Sequence, residues 1–141
     1  MESFWTQQAL MRSLYRRCLE PVCDKYRLTG FELEILLFLH HNPTLNTASQ
    51  LVEIRQLSKS HVSVSLRSLE EKKYLTSAPA PNDRRVQLLT LTGKARHPLL
   101  DALQAQNRFR ELMIEGFTEE EKQTLLNFTE RMKENLYRFA K

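Results

Sequence analysis

The chain has 141 residues, of which 41% are hydrophobic and 27% are charged, and its formal net charge is +4. Its three glycines and five prolines are few, which argues against an all-β fold built on many tight turns and against a disordered chain. No apolar run approaches the ~18 residues of a membrane span. Residues 1–20 also lack the core of a signal peptide, so we expect a cytoplasmic protein with no membrane segment.

A first helix is predicted over residues 3–26, where apolar side chains recur at helical spacing. Pro21 should kink or restart this helix, because a proline inside a helix removes one hydrogen bond. Cys18 and Cys23 lie on it about 140° apart around the axis, so they are not placed for a disulfide with each other. Buried thiols are the simpler interpretation, and a redox-sensing regulator that uses Cys18 is the alternative.

Thr29 opens the second predicted helix. With Glu32 it forms an S/T-x-x-E capping box, in which the two side chains each bond the other residue's amide. Leucines follow at helical spacing, and Asn42-Pro43 stops the helix. The pattern predicts a helix between these signals.

A second capping box, Thr47-x-x-Gln50, opens a short third helix over Thr47–Ile54. Residues 55–57 form a turn, and Ser58 caps a fourth helix that runs to about Lys72. Two short helices joined by a tight turn indicate a helix-turn-helix unit.

The hydrophobic period then changes to that of a β-hairpin. Tyr74–Ala78 and Val86–Leu91 are predicted strands, and Pro79–Arg85 forms a rigid, basic tip between them. Thr92-Gly93 begins a long fifth helix, and a third capping box, Thr118-x-x-Glu121, opens the last helix. The predicted fold is mainly α: a winged helix-turn-helix with a two-stranded β wing and long helices at both ends.

Positive charge is concentrated in the middle of the chain. Residues 55–96 hold nine Lys or Arg against three acidic residues, whereas the rest of the chain is slightly acidic. This asymmetry favours a surface that meets a polyanion.

The fourth helix has two unlike faces when its residues are placed about 100° apart. Val62, Leu66 and Leu69 share the core side. Ser60, Ser63, Val64 and Arg67 lie opposite, with Lys59 and His61 on the two flanks. The polar face is typical of a helix that reads the major groove, where Arg67 would pair with guanine or hold a phosphate and Val64 would meet a thymine methyl. The amides near Ser58–Ser60 can bind a phosphate, and a plain solvated face is the alternative interpretation.

Together the elements resemble the MarR family of transcriptional regulators over essentially the whole chain. The residues that carry the resemblance are Leu28-Thr29, Leu57-Ser58-Lys59-Ser60-His61-Val62-Ser63, Leu69-Glu70-Glu71-Lys72, Asp83-Arg84-Arg85 and Leu91-Thr92. Family members usually have glycine where Lys73 stands, as the left-handed cap of the recognition helix. Lysine there must adopt a strained conformation or use a different cap.

The resemblance implies one MarR-like domain over residues 1–141, with a DNA-binding winged helix at 29–97 and dimerisation helices at 1–28 and 98–141. The outer helices are rich in apolar side chains, which a homodimer would bury. The implied function is sequence-specific regulation of transcription at a pseudo-palindromic site in double-stranded DNA, by a repressor that a small-molecule effector releases.

The resemblance also implies roles for individual residues. Asp83 would orient Arg85, which enters the minor groove, while Arg84 meets a phosphate or braces the wing. The family has an effector pocket where the outer helices join the DNA-binding region. Trp5, Tyr15 and Phe38 are candidates to line it, with core packing as the alternative for each.

A winged-helix module that binds protein instead of DNA is the main competing hypothesis, and it would need neither Arg85 nor the basic face. We expect no enzyme, since no nucleophile–base set, phosphate loop or carboxylate pair is recognisable. No cofactor is expected. No metal site is expected either, because the four histidines lack Glu or Cys partners at metal-ligand spacing.

Overall fold

The computed structural model describes residues 3–140; residues 1–2 and 141, at the ends of the predicted dimerisation segments, lie outside the described residues. The elements are α1 (Phe4–Tyr26), α2 (Gly30–His41), α3 (Ala48–Arg55), α4 (Lys59–Glu71), β1 (Leu75–Pro79), β2 (Gln87–Leu91), a 3-10 turn (Gly93–Ala95), α5 (Arg96–Met113) and α6 (Glu119–Phe139). This order confirms the predicted four helices, hairpin and two long helices.

The described residues fall into two compact units, the first ending at Asn107 and the second beginning at Arg108. The whole winged helix lies in the first unit. The second holds the end of α5 and all of α6. The division into a DNA-binding region at 29–97 and flanking dimerisation helices stays a prediction.

Helix α2 is the centre of the core in the first unit. Seven of its twelve residues are buried, and Leu33, Ile35 and Leu36 are at most 1% exposed. Each such side chain contributes about 1.5–3 kcal/mol when it is removed from water. Helices α1 and α4 and strand β2 all contact α2. The buried helix α2 is therefore the element against which α4 packs.

Helix α1 runs unbroken through Pro21, so the expectation that this proline restarts the helix is wrong. Proline in a helix removes one backbone hydrogen bond and crowds the preceding turn. Here its neighbours Leu19 and Val22 are both buried in the core, and their packing offsets that cost. At the C-terminal end of α1, Lys25 (2.9 Å) and Tyr26 (2.7 Å) donate hydrogen bonds to Asp101 of α5. The bond from Lys25, followed by that from Tyr26, lowers the pKa of Asp101.

Two of the three predicted capping boxes form in full, those of Thr47 with Gln50 and Thr118 with Glu121. The third is half formed. Thr29 accepts a hydrogen bond from the Glu32 amide at 3.0 Å, but the Glu32 carboxylate does not return to the Thr29 amide. It bonds to α4 instead, a long-range partnership that local sequence signals do not encode.

The hairpin pairs antiparallel from Leu75 opposite Leu91 to Pro79 opposite Gln87. A feature that the sequence did not predict ties its base to the start of α3. The Leu89 amide donates to the Asn46 carbonyl at 2.8 Å, the Asn46 side chain donates to the Leu89 carbonyl at 3.2 Å, and Thr47 bridges to Leu88. The wing is therefore joined to the helix-turn-helix by a short third strand-like contact.

Lys73 takes the left-handed conformation that the family usually gives to glycine, with φ at +65°. Its amide donates to the Glu70 carbonyl and that of Tyr74 donates to the Leu69 carbonyl, both at 2.9 Å, which is the Schellman pattern at the end of α4. The alternative of a different cap is thereby excluded. A side chain in this conformation is strained by roughly 1–2 kcal/mol.

Lys73→Gly is expected to stabilise the fold by about 0.5–1 kcal/mol, because relief of this strain exceeds the added entropy of the unfolded chain. The free energy of unfolding in urea measures the change. Lys73→Ala is the control, since it removes the side chain and keeps the Cβ strain. An equal gain in both variants would attribute the effect to charge and not to backbone conformation.

Candidate nucleic-acid interface

Helix α4 has the two faces that the sequence predicts. Val62, Leu66 and Leu69 are between 0% and 8% exposed and join the core. On the opposite side Ser60, Ser63 and Arg67 are exposed, and Val64 is 66% exposed. An apolar side chain held in solvent between small polar ones contributes nothing to the core, so this face is available to a partner surface.

The N-terminal turn of α4 is electropositive. The Ser58 hydroxyl caps it by accepting a hydrogen bond from the His61 amide at 3.2 Å, and the turn contains no acidic residue. Lys59 and Ser60 are exposed there. The helix dipole adds to the lysine charge, so this end of α4 attracts anions such as a phosphate.

His61 is exposed, but its ring is held by a stacking contact. It lies flat against the ring of Phe31 on α2, with ring centroids 3.8 Å apart and planes inclined by 10°. Sequence analysis predicts His61 on the flank of the exposed polar face of α4 and assigns no role to Phe31. Only the packing of α2 against α4 brings the two rings together.

At the wing tip, Asp83 contacts Arg85 in two ways. Its Oδ1 accepts hydrogen bonds from the Arg85 amide at 3.0 Å and from Arg85 Nε at 3.4 Å. The Arg85 side chain is 93% exposed, so the contact orients it without burying it. Arg84 is also exposed. The structure thus contains the Asp–Arg contact that the family resemblance implies, while the part these residues play on DNA stays a prediction.

Two of the three candidate effector residues line a common cavity of about 170 Å³. Tyr15 and Phe38 are joined there by Glu34, Leu37, His41, Asn42, Arg55 and Gln106. Trp5 is not among the lining residues: it is 73% exposed and packs edge-on against Phe4, and its part in an effector pocket stays a prediction.

The cavity is polar on one side. Arg55 and Glu34 form an ion pair at 3.1 Å, and Gln106 donates to the Tyr15 hydroxyl at 2.8 Å. The carbonyl oxygen of Gln106 is buried and has no hydrogen-bond partner among the described residues. A buried acceptor without a donor is unfavourable, so a ligand that supplies an N–H or O–H group would be stabilised there.

The cysteines give little support to redox chemistry. Neither forms a disulfide, and both are half-buried. Burial, reinforced by the charge of Asp24, raises the pKa of the Cys23 thiol, which lowers the fraction of reactive thiolate at neutral pH. A sensing role for Cys18 stays a hypothesis.

Within residues 3–140, no three histidine, cysteine or carboxylate side chains are grouped so that they could hold a metal ion. Over the same residues, no helix is both long enough and apolar enough to span a membrane.

Comparison with known proteins gives concordant matches. A model of the MarR family matches residues 28–86. The HTH-type transcriptional regulator YdgJ of Bacillus subtilis (strain 168) is 27% identical over 104 residues, which are 74% of this chain and 63% of that protein. The chain therefore spans less than two thirds of the length of this relative.

Two solved structures share the fold. A crystal structure of MarR superposes with a TM-score of 0.82 at 20% identity, covering 99% of this chain and 94% of the other. A MarR family transcriptional regulator from Listeria monocytogenes, solved with a 26mer DNA, gives a TM-score of 0.78 at 19% identity, covering 96% and 90%. Residues 28–86 are thus similar to the MarR family, and the chain shares the fold of these MarR structures.

Proposed function

We propose that this chain is a transcriptional regulator that binds double-stranded DNA in a sequence-specific manner. The observation that carries the proposal is the outward face of α4, where Val64 and Arg67 project between serines beside an electropositive helix start. Small polar groups permit close approach to base edges, and arginine can pair with guanine. The Listeria relative, solved with DNA, supports the same use of the fold. A regulator of this kind acts at the chromosome, which in a bacterial cell is in the cytoplasm.

The test is selection of duplexes from a random-sequence library by the full chain, followed by titration of the selected duplex and a scrambled one. Arg67→Ala is expected to cost about 1–3 kcal/mol on the selected duplex and to relax preference at one base pair in each half-site. Lys59→Ala should weaken binding to both duplexes alike. It should also reduce the slope of log K against log salt concentration by about one unit, because it removes a phosphate contact.

If no duplex is enriched, or if both variants bind as the parent does, the DNA-binding proposal is wrong. The winged-helix module that binds protein then becomes the better hypothesis.

We infer that the active species is a homodimer. Exposed apolar side chains are concentrated on α1 and α6, including Trp5, Leu10, Phe128, Met132 and Leu136. On α6, no residue at all is buried within the chain, although its apolar residues recur along one side. A two-fold dimer would cover this surface and would require a pseudo-palindromic site with half-sites about one turn, ~10 bp, apart.

We further propose that the chain is a repressor and that a small organic effector bound in the Tyr15–Phe38 cavity releases it from DNA. The cavity of about 170 Å³ suits a ligand no larger than a single substituted ring. Leu37 and Phe38 offer it an apolar wall, and the Gln106 carbonyl oxygen needs a donor. The ligand class is therefore a small ring compound that carries a hydroxyl or N–H group.

A panel of such compounds, screened by thermal unfolding, tests the effector site. A ligand present at 100 times its Kd should stabilise the chain by about 2.7 kcal/mol and should weaken binding to the selected duplex. Gln106→Ala should abolish both effects. Gln104→Ala, an exposed glutamine on the same helix, should retain them. Compounds that act equally on both variants would locate the effector site elsewhere.

A further inference from the structure

The first turn of α2 contacts the recognition helix α4 at two separate places. Phe31 stacks on His61 in the N-terminal turn of α4, at 3.8 Å between ring centroids. The next residue, Glu32, binds Ser68 near the C-terminal end of the same helix and Lys72, the residue that caps it. Two adjacent residues therefore hold points on α4 that are 11 residues apart.

Glu32 forms an ion pair in which the carboxylate is buried and both of its oxygens accept a hydrogen bond. The Glu32 side chain is 5% exposed, its Oε1 accepts from the Ser68 hydroxyl at 3.1 Å, and its Oε2 accepts from Lys72 Nζ at 2.8 Å. Lys72 Nζ also donates to the Arg27 carbonyl at 2.9 Å, between α1 and α2. The carboxylate thus links α4 to the junction of α1 and α2.

Such an ion pair is weak evidence for stability, because desolvation of the buried Glu32 carboxylate offsets much of the attraction between the two charges. Its directional hydrogen bonds nevertheless allow only a narrow range of positions for the groups that they join. An apolar contact of the same size would let α4 slide or rotate over α2. The expected contribution of Glu32 is therefore to the position of α4, more than to the free energy of unfolding.

We propose that Phe31 and Glu32 are positioning residues that set the recognition helix in the register required to read bases. The inference rests on the proposed function, and it adds that specificity depends on residues that touch no DNA. Phosphate contacts tolerate small displacements of α4, whereas bidentate contacts to base edges do not. Loss of the two anchors should therefore lower discrimination between sequences and leave non-specific affinity unchanged.

The main variant is the double substitution Glu32→Leu with Lys72→Met, which removes the pair without leaving a buried charge alone. The measurement is the ratio of Kd values for the scrambled duplex and for the duplex that the parent selects. This ratio is insensitive to simple destabilisation of the fold, because a smaller folded fraction weakens binding to both duplexes equally. We expect the double variant to lower the ratio by about tenfold, the scale of one base contact.

Asp101→Leu with Lys25→Met is the control, because it removes another lysine–carboxylate ion pair between two helices, α1 and α5, and changes no residue of α4. It should keep the parent ratio. Phe31→Leu should lower the ratio without further effect in a chain that already carries His61→Ala, since the ring acts through His61. Ser68→Ala, a milder change, should move the ratio in the same direction and serves if the double variant does not fold.

A parent that discriminates among duplexes while the Glu32, Ser68 and Phe31 variants keep its ratio would overturn the positioning proposal alone. A parent that selects no duplex would overturn the DNA-binding function, and this inference with it.

Discussion

Leu136→Glu is expected to convert the dimer into a monomer and to weaken binding to the selected duplex by about 10²- to 10⁴-fold. Leu136 is 64% exposed and lies along one side of α6 with Leu125 and Met132. A glutamate on that surface would be buried without a partner in the dimer, which is strongly unfavourable. Binding falls because a dimer links two DNA-binding regions, so that binding of one raises the effective concentration of the other at the adjacent half-site.

Sedimentation velocity measures the oligomeric state, and fluorescence anisotropy with a labelled duplex measures the affinity. Asn127→Glu is the control, since it adds the same group about 180° away on α6. Residue 127 accepts a hydrogen bond from Gln123 at 3.0 Å, and glutamate keeps an oxygen for that bond. We expect this control to dimerise and bind as the parent does. Tight binding by a monomeric Leu136→Glu variant would contradict the dimer proposal.

Arg85→Ala is expected to weaken binding to the selected duplex by about 1–3 kcal/mol, with a loss that depends on groove width and not on one base identity. The arginine is 93% exposed and already oriented by Asp83, so little side-chain entropy is lost when it enters a narrow minor groove. Titration against duplexes that differ only in A·T content between or beside the half-sites measures this dependence.

Arg84→Ala removes the same charge from the neighbouring residue and is the natural comparison. Arg84→Ala should cost less binding free energy than Arg85→Ala and should weaken binding to all duplexes alike, as loss of a phosphate contact does. Asp83→Ala should reproduce part of the Arg85→Ala loss, because the arginine then loses its orienting acceptor. Equal losses for Arg84→Ala and Arg85→Ala would mean that only charge at the tip is used.

Most of the fold could be predicted because its signals are local. Three helices begin at a side chain that accepts a hydrogen bond from the amide three residues ahead, at Thr47, Ser58 and Thr118. Such a cap can be recognised from a few consecutive residues of the sequence. The two faces of α4 were likewise legible, since Val62, Leu66 and Leu69 repeat with the helical period. The wing contact between Asp83 and Arg85 spans two residues and is local as well.

The features that sequence reasoning missed join residues far apart in the chain. Glu32 fits a capping box with Thr29, yet its carboxylate bonds to Lys72, 40 residues away, because tertiary packing places the Lys72 ammonium group against the buried carboxylate. Phe31 and His61 are 30 residues apart in the sequence, and Asn46 and Leu89 are 43 residues apart. Helical spacing indicates which residues are buried but not which buried residues meet.

Because Asn46 is hydrogen-bonded to Leu89, the tip of the wing can be redesigned separately from the rest of the fold. A two-stranded hairpin alone is marginal in water, but here the base of the hairpin is held to the start of α3. Deformation is thereby confined to the loop beyond Pro79 and Gln87, which contributes no buried side chain. Loops of other lengths and charges can be grafted at this tip while the reading helix stays in place, so that preference for DNA shape can be redesigned independently of preference for bases.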